Sequence, residues 1–347
     1  MKKVYVGMSG GVDSSVTAAL LKQQDYDVTG VYMKNWSQDL PGFECPWRED
    51  FEDAKRVAVQ LGIDFKMYDF ETEYRQKVVD YMLDGYRAGI TPNPDIMCNQ
   101  EIKFKLFLDT ALQDGADLIA TGHYARIQDG QLLTAANVDK DQTYFLYRVE
   151  AAALRKSLMP IGHFKTKAEV RKLAKQFGLA TAEKKDSQGI CFVGKVGIRE
   201  FLEQFVETEP GDIIDHTGKT IGQHDGAIFY TIGQRHGLDI GGGLPYYVVG
   251  KDMAKNEVYV TTDLNDDRLW RQDILLTAPH WINGEPTEDN LQVRLRYRAP
   301  LTDVQSLQKI DKNNWKLILT EPVRAVTPGQ SAVFYQGDRC LGGAIVK

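Results

Sequence analysis

Three short segments of this 347-residue chain combine residue types that can carry out chemistry. Residues 9–14 read SGGVDS and lie between an apolar run and a stretch rich in Ala and Leu. A strand that turns at two glycines and then becomes a helix lets backbone N–H groups and the positive helix end reach an anion. The other two segments each contain a cysteine, Cys98 and Cys191. We therefore predict a phosphate-binding loop and two candidate sulfur nucleophiles.

The glycine loop differs from the common nucleotide-binding motifs. It matches neither the GxxxxGK[ST] pattern of Walker-type loops nor the GxGxxG pattern of dinucleotide-binding folds. An ordinary glycine turn before a helix is the alternative interpretation. The two glycines, the Asp and the serines all follow directly on an N-terminal strand, and this arrangement favours a phosphate-binding loop.

Cys98 lies near the end of the sequence TPNPDIMCN. Two prolines flank Asn93, and each proline fixes its own φ and restricts the residue before it. We therefore expect a stiff loop that presents Asp95 and Cys98 for chemistry. A buried structural role is the alternative for this cysteine.

Cys191 lies in the sequence KKDSQGICF, close to Lys184 and Lys185. Nearby lysines favour the thiolate, which is the nucleophilic form of cysteine. A structural role is again the alternative, and the sequence does not show whether Cys191 meets Cys98.

Composition limits the class of protein. Hydrophobic residues make up 43% of the chain, which is enough for real cores, and the length is typical of two or three domains. The four cysteines have neither metal-ligand spacing nor the pattern of a disulfide framework. No apolar run reaches membrane-spanning length, and no secretory signal pattern begins the chain. We expect a cytoplasmic protein with no membrane partner.

Charge is unevenly distributed along the chain. The total is −6, but residues 151–200 contain 11 Lys and Arg against 4 Asp and Glu, while residues 1–150 contain 16 against 24. The basic segment is either a solvated helix face or a contact surface for a phosphate backbone.

Hydrophobic periodicity places these segments on an α/β framework. The first half alternates strands and helices, which predicts a parallel sheet with ligands at the carboxyl ends of its strands. Strands are expected at 4–8, 27–36, 65–70 and 117–124, and helices at 15–21, 49–61, 74–86 and 166–177.

The second half of the chain has sequence patterns that are typical of β structure. Short apolar segments between glycines predict a small mixed or β-rich domain, and later alternating patterns predict a β-barrel. Arg294, Arg296 and Arg298 are expected on one face of a strand, either as a solvated edge or as a row of phosphate contacts. The predicted domains are 1–200, 201–268 and 269–347.

The glycine loop resembles the SGGxDS loop of the ATP pyrophosphatases, which split ATP between its α and β phosphates and adenylate a carbonyl oxygen. The whole set of motifs is similar to that of the tRNA-specific 2-thiouridylases, the MnmA/TrmU family. The motifs occur in the family's order along essentially the whole chain, and they are SGGVDS, TPNPDxxCN, TGHYAR, KDQTYFL and SQGICF.

The resemblance implies a tRNA-uridine 2-sulfurtransferase that uses ATP with Mg²⁺. ATP would adenylate the C2 oxygen of the wobble uridine, which is flipped out of the RNA. Cys191 would carry the incoming sulfur as a persulfide, transferred directly or as sulfide, and Cys98 would attack to free it, leaving a disulfide. Asp95 would act as acid/base. The implied partners are tRNAs for Lys, Glu and Gln, a cysteine desulfurase or relay protein, and a reductant.

The resemblance also assigns binding residues one by one. No fixed metal site of the protein is implied, although Asp13 is a candidate to help hold Mg²⁺. Separately from the resemblance, the charge of the basic segment predicts that Lys184 and Lys185 contact tRNA phosphates. The implied ATP-binding residues are Gly7, Met8, Ser9, Gly10, Gly11, Val12, Asp13, Ser14, Met33 and Gly122. The implied tRNA-binding residues are Asn93, Pro94, Asp95, His123, Lys140, Asp141, Gln142, Tyr297, Arg298 and Gln330.

Three alternatives stay open at this point. Another ATP pyrophosphatase could adenylate a carboxylate, but it would leave the cysteine motifs and the β-rich half unexplained. A nucleotide-binding module would release no pyrophosphate and would depend on neither cysteine. A structural RNA-binding protein would not need the phosphate loop.

Overall fold

The computed structural model describes residues 1–41, 44–185, 197–241, 243, 245–287 and 289–347. Cys191 lies outside these residues. Among the helices of the described part, none is both long enough and apolar enough to cross a membrane.

The first part of the chain forms the predicted α/β domain. Its strands are β1 (Lys3–Gly7), β2 (Asp27–Lys34), β3 (Asp64–Asp69), β4 (Leu118–Ala120), β5 (Ala125–Gln128), β6 (Gln131–Thr134) and β7 (Ser157–Leu158). Five of them make a parallel sheet in the order β3-β2-β1-β4-β7. Alternate residues of β1 enter different cores, with Tyr5 in one and Val4 and Val6 in the other. Both faces of the sheet are therefore covered, as a parallel sheet requires.

The α-helices of this part include the four that were predicted, close to their expected positions, and others that were not predicted. They are α1 (Val12–Gln23), α2 (Trp47–Leu61), α3 (Glu71–Tyr74), α4 (Asp80–Arg87), α5 (Pro94–Met97), α6 (Phe107–Gln113), α7 (Thr143–Leu146), α8 (Ala151–Leu154), α9 (Lys167–Gln176) and α10 (Ile198–Leu202). Two π-helical stretches, Arg75–Val79 and Cys98–Leu106, join α3 to α4 and α5 to α6 into longer helices. Short 3₁₀ turns occur at Val138–Lys140, Pro160–His163, Ala227–Phe229 and Asp267–Leu269.

The helix ends have the signals that the sequence indicates. Thr166 caps α9 through a capping box, since its side chain accepts from the backbone N–H of Glu169 and the Glu169 carboxylate accepts from that of Thr166. Gly62 ends α2 in the left-handed conformation, with φ of 57°.

The middle part of the chain is a small mixed sheet, as predicted. Its strands are β8 (Gly211–Ile214), β9 (Thr220–His224), β10 (Tyr247–Asp252) and β11 (Glu257–Thr261). They lie in the order β10-β11-β8-β9, and β11 pairs with β8 in parallel while the outer pairs are antiparallel.

The last part is a closed six-stranded barrel, which confirms the predicted architecture. Its strands are β12 (Trp270–Trp281), β13 (Gln292–Arg294), β14 (Thr302–Lys309), β15 (Asn314–Arg324), β16 (Ser331–Gln336) and β17 (Arg339–Val346). They follow the order β12-β15-β14-β13-β16-β17, and the pairing of β12 with β17 closes the barrel.

The predicted row of arginines on one strand is wrong. β13 ends at Arg294, whose side chain is buried against Asp141. Arg296 donates to the carbonyl oxygen of Ile232 at 3.0 Å, and Arg298 is exposed. Local alternation could not reveal this, because two of the three cations are used inside domain contacts.

A hairpin of the first domain is built into the barrel sheet. Leu132 and Leu133 of β6 pair with Cys340 and Arg339 of β17. α10 makes a second unexpected connection, because the side chains of Phe201 and Leu202 lie in the core of the first domain. The domain limits 1–200, 201–268 and 269–347 stay a prediction.

Candidate functional site

The SGGVDS loop connects β1 to α1 at the carboxyl edge of the parallel sheet. Ser14 holds the loop, because its hydroxyl accepts from the backbone N–H of Ser9 at 3.1 Å and donates to the carbonyl oxygen of Gly11 at 3.2 Å. Gly11 is the N-cap of α1, and no side chain of the described residues caps this end. The first N–H groups of the helix therefore stay available for an anion.

Two glycines bring other backbone segments against this loop. Gly10 has φ of 74°, and a Cβ there would lie 2.4 Å from the carbonyl oxygen of Asp50. A Cβ on Gly122, just after β4, would lie 2.7 Å from the backbone nitrogen of Ser14. The segment that follows β4 is thus in direct contact with the first turn of α1.

Met33 at the end of β2 completes this edge. Its terminal methyl group lies 3.0 Å from the position of a Cβ on Gly7, so a larger residue at position 7 would displace it. The structure therefore brings Gly7, Met33, Gly122 and the loop together.

Asp13 is held by two residues that the motif did not indicate. Lys167 at the start of α9 donates to both carboxylate oxygens, at 2.8 and 2.7 Å, and the hydroxyl of Tyr124 donates to one of them at 2.9 Å. A carboxylate held in this way is a poor candidate for a metal ligand. Among the described residues, no group of three or more His, Cys, Asp or Glu side chains could hold a metal ion.

The segment with Asp95 and Cys98 begins a helix instead of forming only a loop. The side-chain oxygen of Asn93 accepts from the backbone N–H of Asp95 at 3.1 Å and caps α5, with Pro94 in the first turn. α5, the π-helical stretch and α6 form one helix from Pro94 to Gln113. Asp95 therefore lies at the positive end of this helix, which favours a carboxylate.

Cys98 is almost completely buried, with 1% of its surface exposed. The helix that carries it is fixed from the side by Asn99, whose amide donates to the carbonyl oxygen of Phe145 at 3.1 Å. Further along the same helix, the Cε1 atom of Phe107 lies 3.5 Å from the position that a Cβ on Gly7 would occupy. Nine residues separate Cys98 from Phe107, which is roughly 10–14 Å along a helix.

Thr91 is a contact point of all three parts of the chain. Its N–H donates to the carbonyl oxygen of Pro328 at 2.9 Å, and its own carbonyl oxygen accepts from the side chain of Gln330 at 2.8 Å. Its hydroxyl lies 3.2 Å from that of Thr231 in the middle domain. Gln330 thus contacts the chain at Thr91, two residues before Asn93.

The predicted tRNA-binding residues of the KDQ sequence differ in accessibility. Asp141 is buried, accepts from the Thr143 hydroxyl at 2.7 Å and from Arg294 at 3.2 Å, and so links the first domain to the barrel. Gln142 accepts from the backbone N–H of Tyr124 at 2.8 Å, and Lys140 is half-exposed. Of the three, only Lys140 and Gln142 present any accessible surface.

His123 is also buried. Its Nδ1 lies 2.8 Å from the Thr121 hydroxyl, and burial holds the pKa of His123 well below its usual value. The imidazole is therefore neutral at pH 7, and it would meet RNA as a hydrogen-bonding group instead of a cation.

Tyr297 and Arg298 lie where the barrel meets the first domain. The ring of Tyr297 packs 4.3 Å from that of Phe145, measured between centroids. Arg298 has φ of 61°, and its guanidinium lies 5.1 Å from the centre of the Tyr297 ring. Arg298 is the exposed member of this pair.

Lys184 is not free to contact a phosphate backbone. Its ammonium group pairs with Asp50 at 2.8 Å and with Asp53 at 2.7 Å, both on α2. Burial lowers the pKa of Lys184, but the hydrogen bonds to these carboxylates raise it overall. Part of the charge of the basic segment is therefore neutralised inside the domain, whereas Lys185 is exposed.

The fold and the site together define a phosphate-binding α/β domain followed by a small sheet and a barrel. The family models agree: residues 2–195 match a tRNA methyl transferase HUP domain, residues 199–262 a tRNA methyl transferase PRC-barrel domain, and residues 271–346 an aminomethyltransferase beta-barrel domain.

Curated relatives define the family more closely. The tRNA-specific 2-thiouridylases MnmA of Bacillus thuringiensis (strain Al Hakam) and Bacillus anthracis are each 46% identical over 350 residues, covering 99% of this chain and 94% of theirs. The chain belongs to this family, the MnmA tRNA-specific 2-thiouridylases. A solved 4-thiouridine synthetase–RNA complex with bound ATP has a weaker likeness, with 19% identity, a TM-score of 0.39, and coverage of 58% of this chain and 50% of that one.

Proposed function

We propose that this protein replaces the C2 oxygen of the wobble uridine of tRNA with sulfur, at the expense of ATP. The observation that carries the proposal is the 46% identity to MnmA relatives over 99% of the chain, which includes the loop and the Cys98 segment described above. An enzyme of this kind works in the cytoplasm, where its tRNA substrates are found.

The first step is activation of the base. The uridine C2 oxygen attacks the α phosphate of ATP, and pyrophosphate leaves. The uncapped N–H groups of α1 and the hydroxyls of Ser9 and Ser14 suit the phosphates of ATP. Met33 and Gly122 flank this loop in the positions expected of nucleotide contacts. Mg²⁺ suits a site with few carboxylates, since it commonly binds through substrate phosphates, where it neutralises their charge.

The second step is sulfur transfer. The terminal sulfur of a persulfide on Cys191 attacks C2, and AMP leaves with the oxygen. The Cys98 thiolate then attacks the Cys191 sulfur, which releases 2-thiouridine and forms a disulfide. An external dithiol reduces this disulfide, and a cysteine desulfurase or relay protein reloads Cys191. Release of free sulfide before the attack on C2 would give the same products.

Asp95 and the tRNA contacts complete the proposal. Asp95 is three residues from Cys98 on the same helix, which puts the two side chains on one face and suits proton transfer near the base. Asn93 and Pro94 precede it in the segment that would meet the flipped base, and Gln330 contacts Thr91 just before that segment. The tRNAs for Lys, Glu and Gln are the proposed substrates.

The test is mass spectrometry of nucleosides from unmodified tRNA incubated with the protein, Mg-ATP and a persulfide-generating desulfurase. We expect one oxygen-to-sulfur exchange at the wobble uridine, dependent on ATP and abolished by Cys98→Ser or Cys191→Ser. Cys45→Ser is the matched control, because Cys45 is a half-buried thiol outside the proposed chemistry, and it should retain activity.

Two outcomes would contradict the proposal. Pyrophosphate release without sulfur incorporation, with an active desulfurase present, would indicate an enzyme that adenylates another acceptor. ATP binding without release of pyrophosphate would indicate a nucleotide-binding module.

A further inference from the structure

A cleft of about 180 Å³ lies where the three parts of the chain meet, away from the phosphate loop. Thr91 and Gly89 of the first domain, Thr231 and Lys251 of the middle domain, and Thr327 of the barrel line it. No acidic side chain is among the described residues that form its wall.

Lys251 extends into this junction from β10. Its ammonium group donates to the carbonyl oxygen of Tyr230 at 2.9 Å, and no carboxylate of the described residues pairs with it. Burial lowers the pKa of Lys251 to about 8. Lys251 is half-buried, and a cation that is partly removed from water is stabilised by a counter-ion.

A second cation supports the same wall. Arg296 donates to the carbonyl oxygen of Ile232 at 3.0 Å and to the Thr327 hydroxyl at 2.7 Å, and both of these residues line the cleft. Arg296 also has no carboxylate partner among the described residues, and burial lowers its pKa. The junction therefore has two positive charges, and no carboxylate of the described residues pairs with either of them.

The remaining wall is suited to an oxyanion. The hydroxyls of Thr91 and Thr231 lie 3.2 Å from each other, and either can donate to an oxygen in the cleft. An ammonium group and hydroxyls are groups with which proteins hold phosphate.

We propose that this cleft binds a phosphate group, with Lys251 as its counter-charge. The two possible sources are a backbone phosphate of tRNA and free inorganic phosphate. The assignment to tRNA rests on the proposed function, whereas phosphate binding itself does not. Because Thr91 lies two residues before Asn93, an anion bound here would strengthen the contact between the base-binding segment and the other two domains.

The test compares Lys251→Met with the wild-type protein and with Lys255→Met. Methionine keeps the apolar stem of Lys251 and removes its charge. Lys255 is on the same hairpin and is 64% exposed, with its ammonium group 3.9 Å from Asp252, so it controls for net charge. Binding of inorganic phosphate is measured by calorimetry at constant ionic strength, with the phosphate loop saturated by a non-hydrolysable ATP analogue.

We expect K251M to lose phosphate binding and K255M to retain it. K251M should unfold at the same temperature as the wild type or a higher one, because a partly desolvated charge is removed and the apolar stem is kept. If the source is tRNA, the slope of log affinity for tRNA against log salt falls by about one in K251M. If phosphate binding is lost and the slope is unchanged, the source is free phosphate.

Phosphate affinity of K251M equal to that of the wild type, or no phosphate binding by either, overturns the proposal. If K251M does not fold, Thr231→Val replaces it, because this change removes a hydroxyl of the cleft at constant volume and should weaken phosphate binding. Failure of sulfur transfer alone would contradict the proposed function and leave this site standing.

Discussion

The thiol of Cys98 is shielded in the free protein although the proposed reaction requires it as a nucleophile. It is 1% exposed and lies in the core of the first domain with Ile102 and Phe104. Sulfur transfer therefore requires an opening at the start of the helix that begins at Pro94. The free energy for this opening is expected to come from binding of tRNA and ATP.

Alkylation of the cysteines tests this requirement. In the native free protein we expect iodoacetamide to modify neither Cys98 nor Cys340, which are equally buried. Addition of tRNA and ATP should raise the rate at Cys98 by roughly tenfold, equivalent to about 1.4 kcal/mol in the opening equilibrium, and should leave Cys340 unchanged. Peptide mass spectrometry measures both rates in one sample, and equal acceleration at both cysteines would indicate general unfolding instead.

The residues of the phosphate loop site were predictable from the sequence, but the residues with which the lysines pair were not. The loop, Met33 and Gly122 come together as the strand ends require, because parallel strands end at one edge. Composition left the charge of residues 151–200 open between a solvated helix face and phosphate contacts, and part of that charge has a third explanation. Lys167 and Lys184 pair with carboxylates more than 100 positions earlier, and local patterns contain no information about such pairs.

At the scale of elements, the turn between β15 and β16 determines how the barrel meets the segment with Asp95 and Cys98. Gly329 in this turn has φ of 90°, and a Cβ there would lie 2.8 Å from the backbone nitrogen of Thr91. The turn between β16 and β17 contains Gly337, which has φ of 58° and no atom within 4 Å of its Cβ position. The two glycines share positive φ and differ in their contacts.

We expect Gly329→Ala to lower the free energy of unfolding by about 1–2 kcal/mol more than Gly337→Ala, because only the former pushes the barrel away from Thr91. Gly329→Ala should also weaken tRNA binding, while Gly337→Ala should not. Denaturant unfolding and tRNA titration of both variants measure these effects. Identical behaviour of the two variants would mean that the contact at Thr91 contributes neither to stability nor to tRNA binding.

The elements show where sequence patterns stop being informative. The alternation of Trp315, Leu317 and Leu319 correctly predicts a buried face, because β15 is a regular strand. The hairpin of β5 and β6 was not predicted, since it pairs with a strand about 200 residues away. Tertiary packing, and not the sequence of the hairpin itself, determines the strand with which it pairs.

At the scale of the whole molecule, the first domain and the barrel share buried polar contacts. Asp141 and Arg294 form an ion pair with 2% and 11% of their side chains exposed, and the barrel sheet continues into β6. Removal of one partner leaves the other charge buried and unpaired, which commonly lowers the free energy of unfolding by about 3–5 kcal/mol. The two parts are therefore expected to unfold together.

Calorimetry tests this expectation with a matched pair of variants. Wild-type protein should show one transition that includes both parts, and Arg294→Met should lower its midpoint by several degrees. Arg298→Met, which removes an exposed arginine, should leave the midpoint unchanged. Separate transitions in the wild type would show that the shared contacts do not couple the two parts.

The position of β17 in the chain has a consequence for protein synthesis. This strand closes the barrel against β12 and also pairs with the hairpin of the first domain, yet it is the last strand of the barrel to leave the ribosome. Until then, one edge of β6 is unpaired. A nascent chain therefore exposes a strand edge that can pair with another chain, for the time needed to translate about 200 residues. Prematurely terminated products would keep this edge exposed.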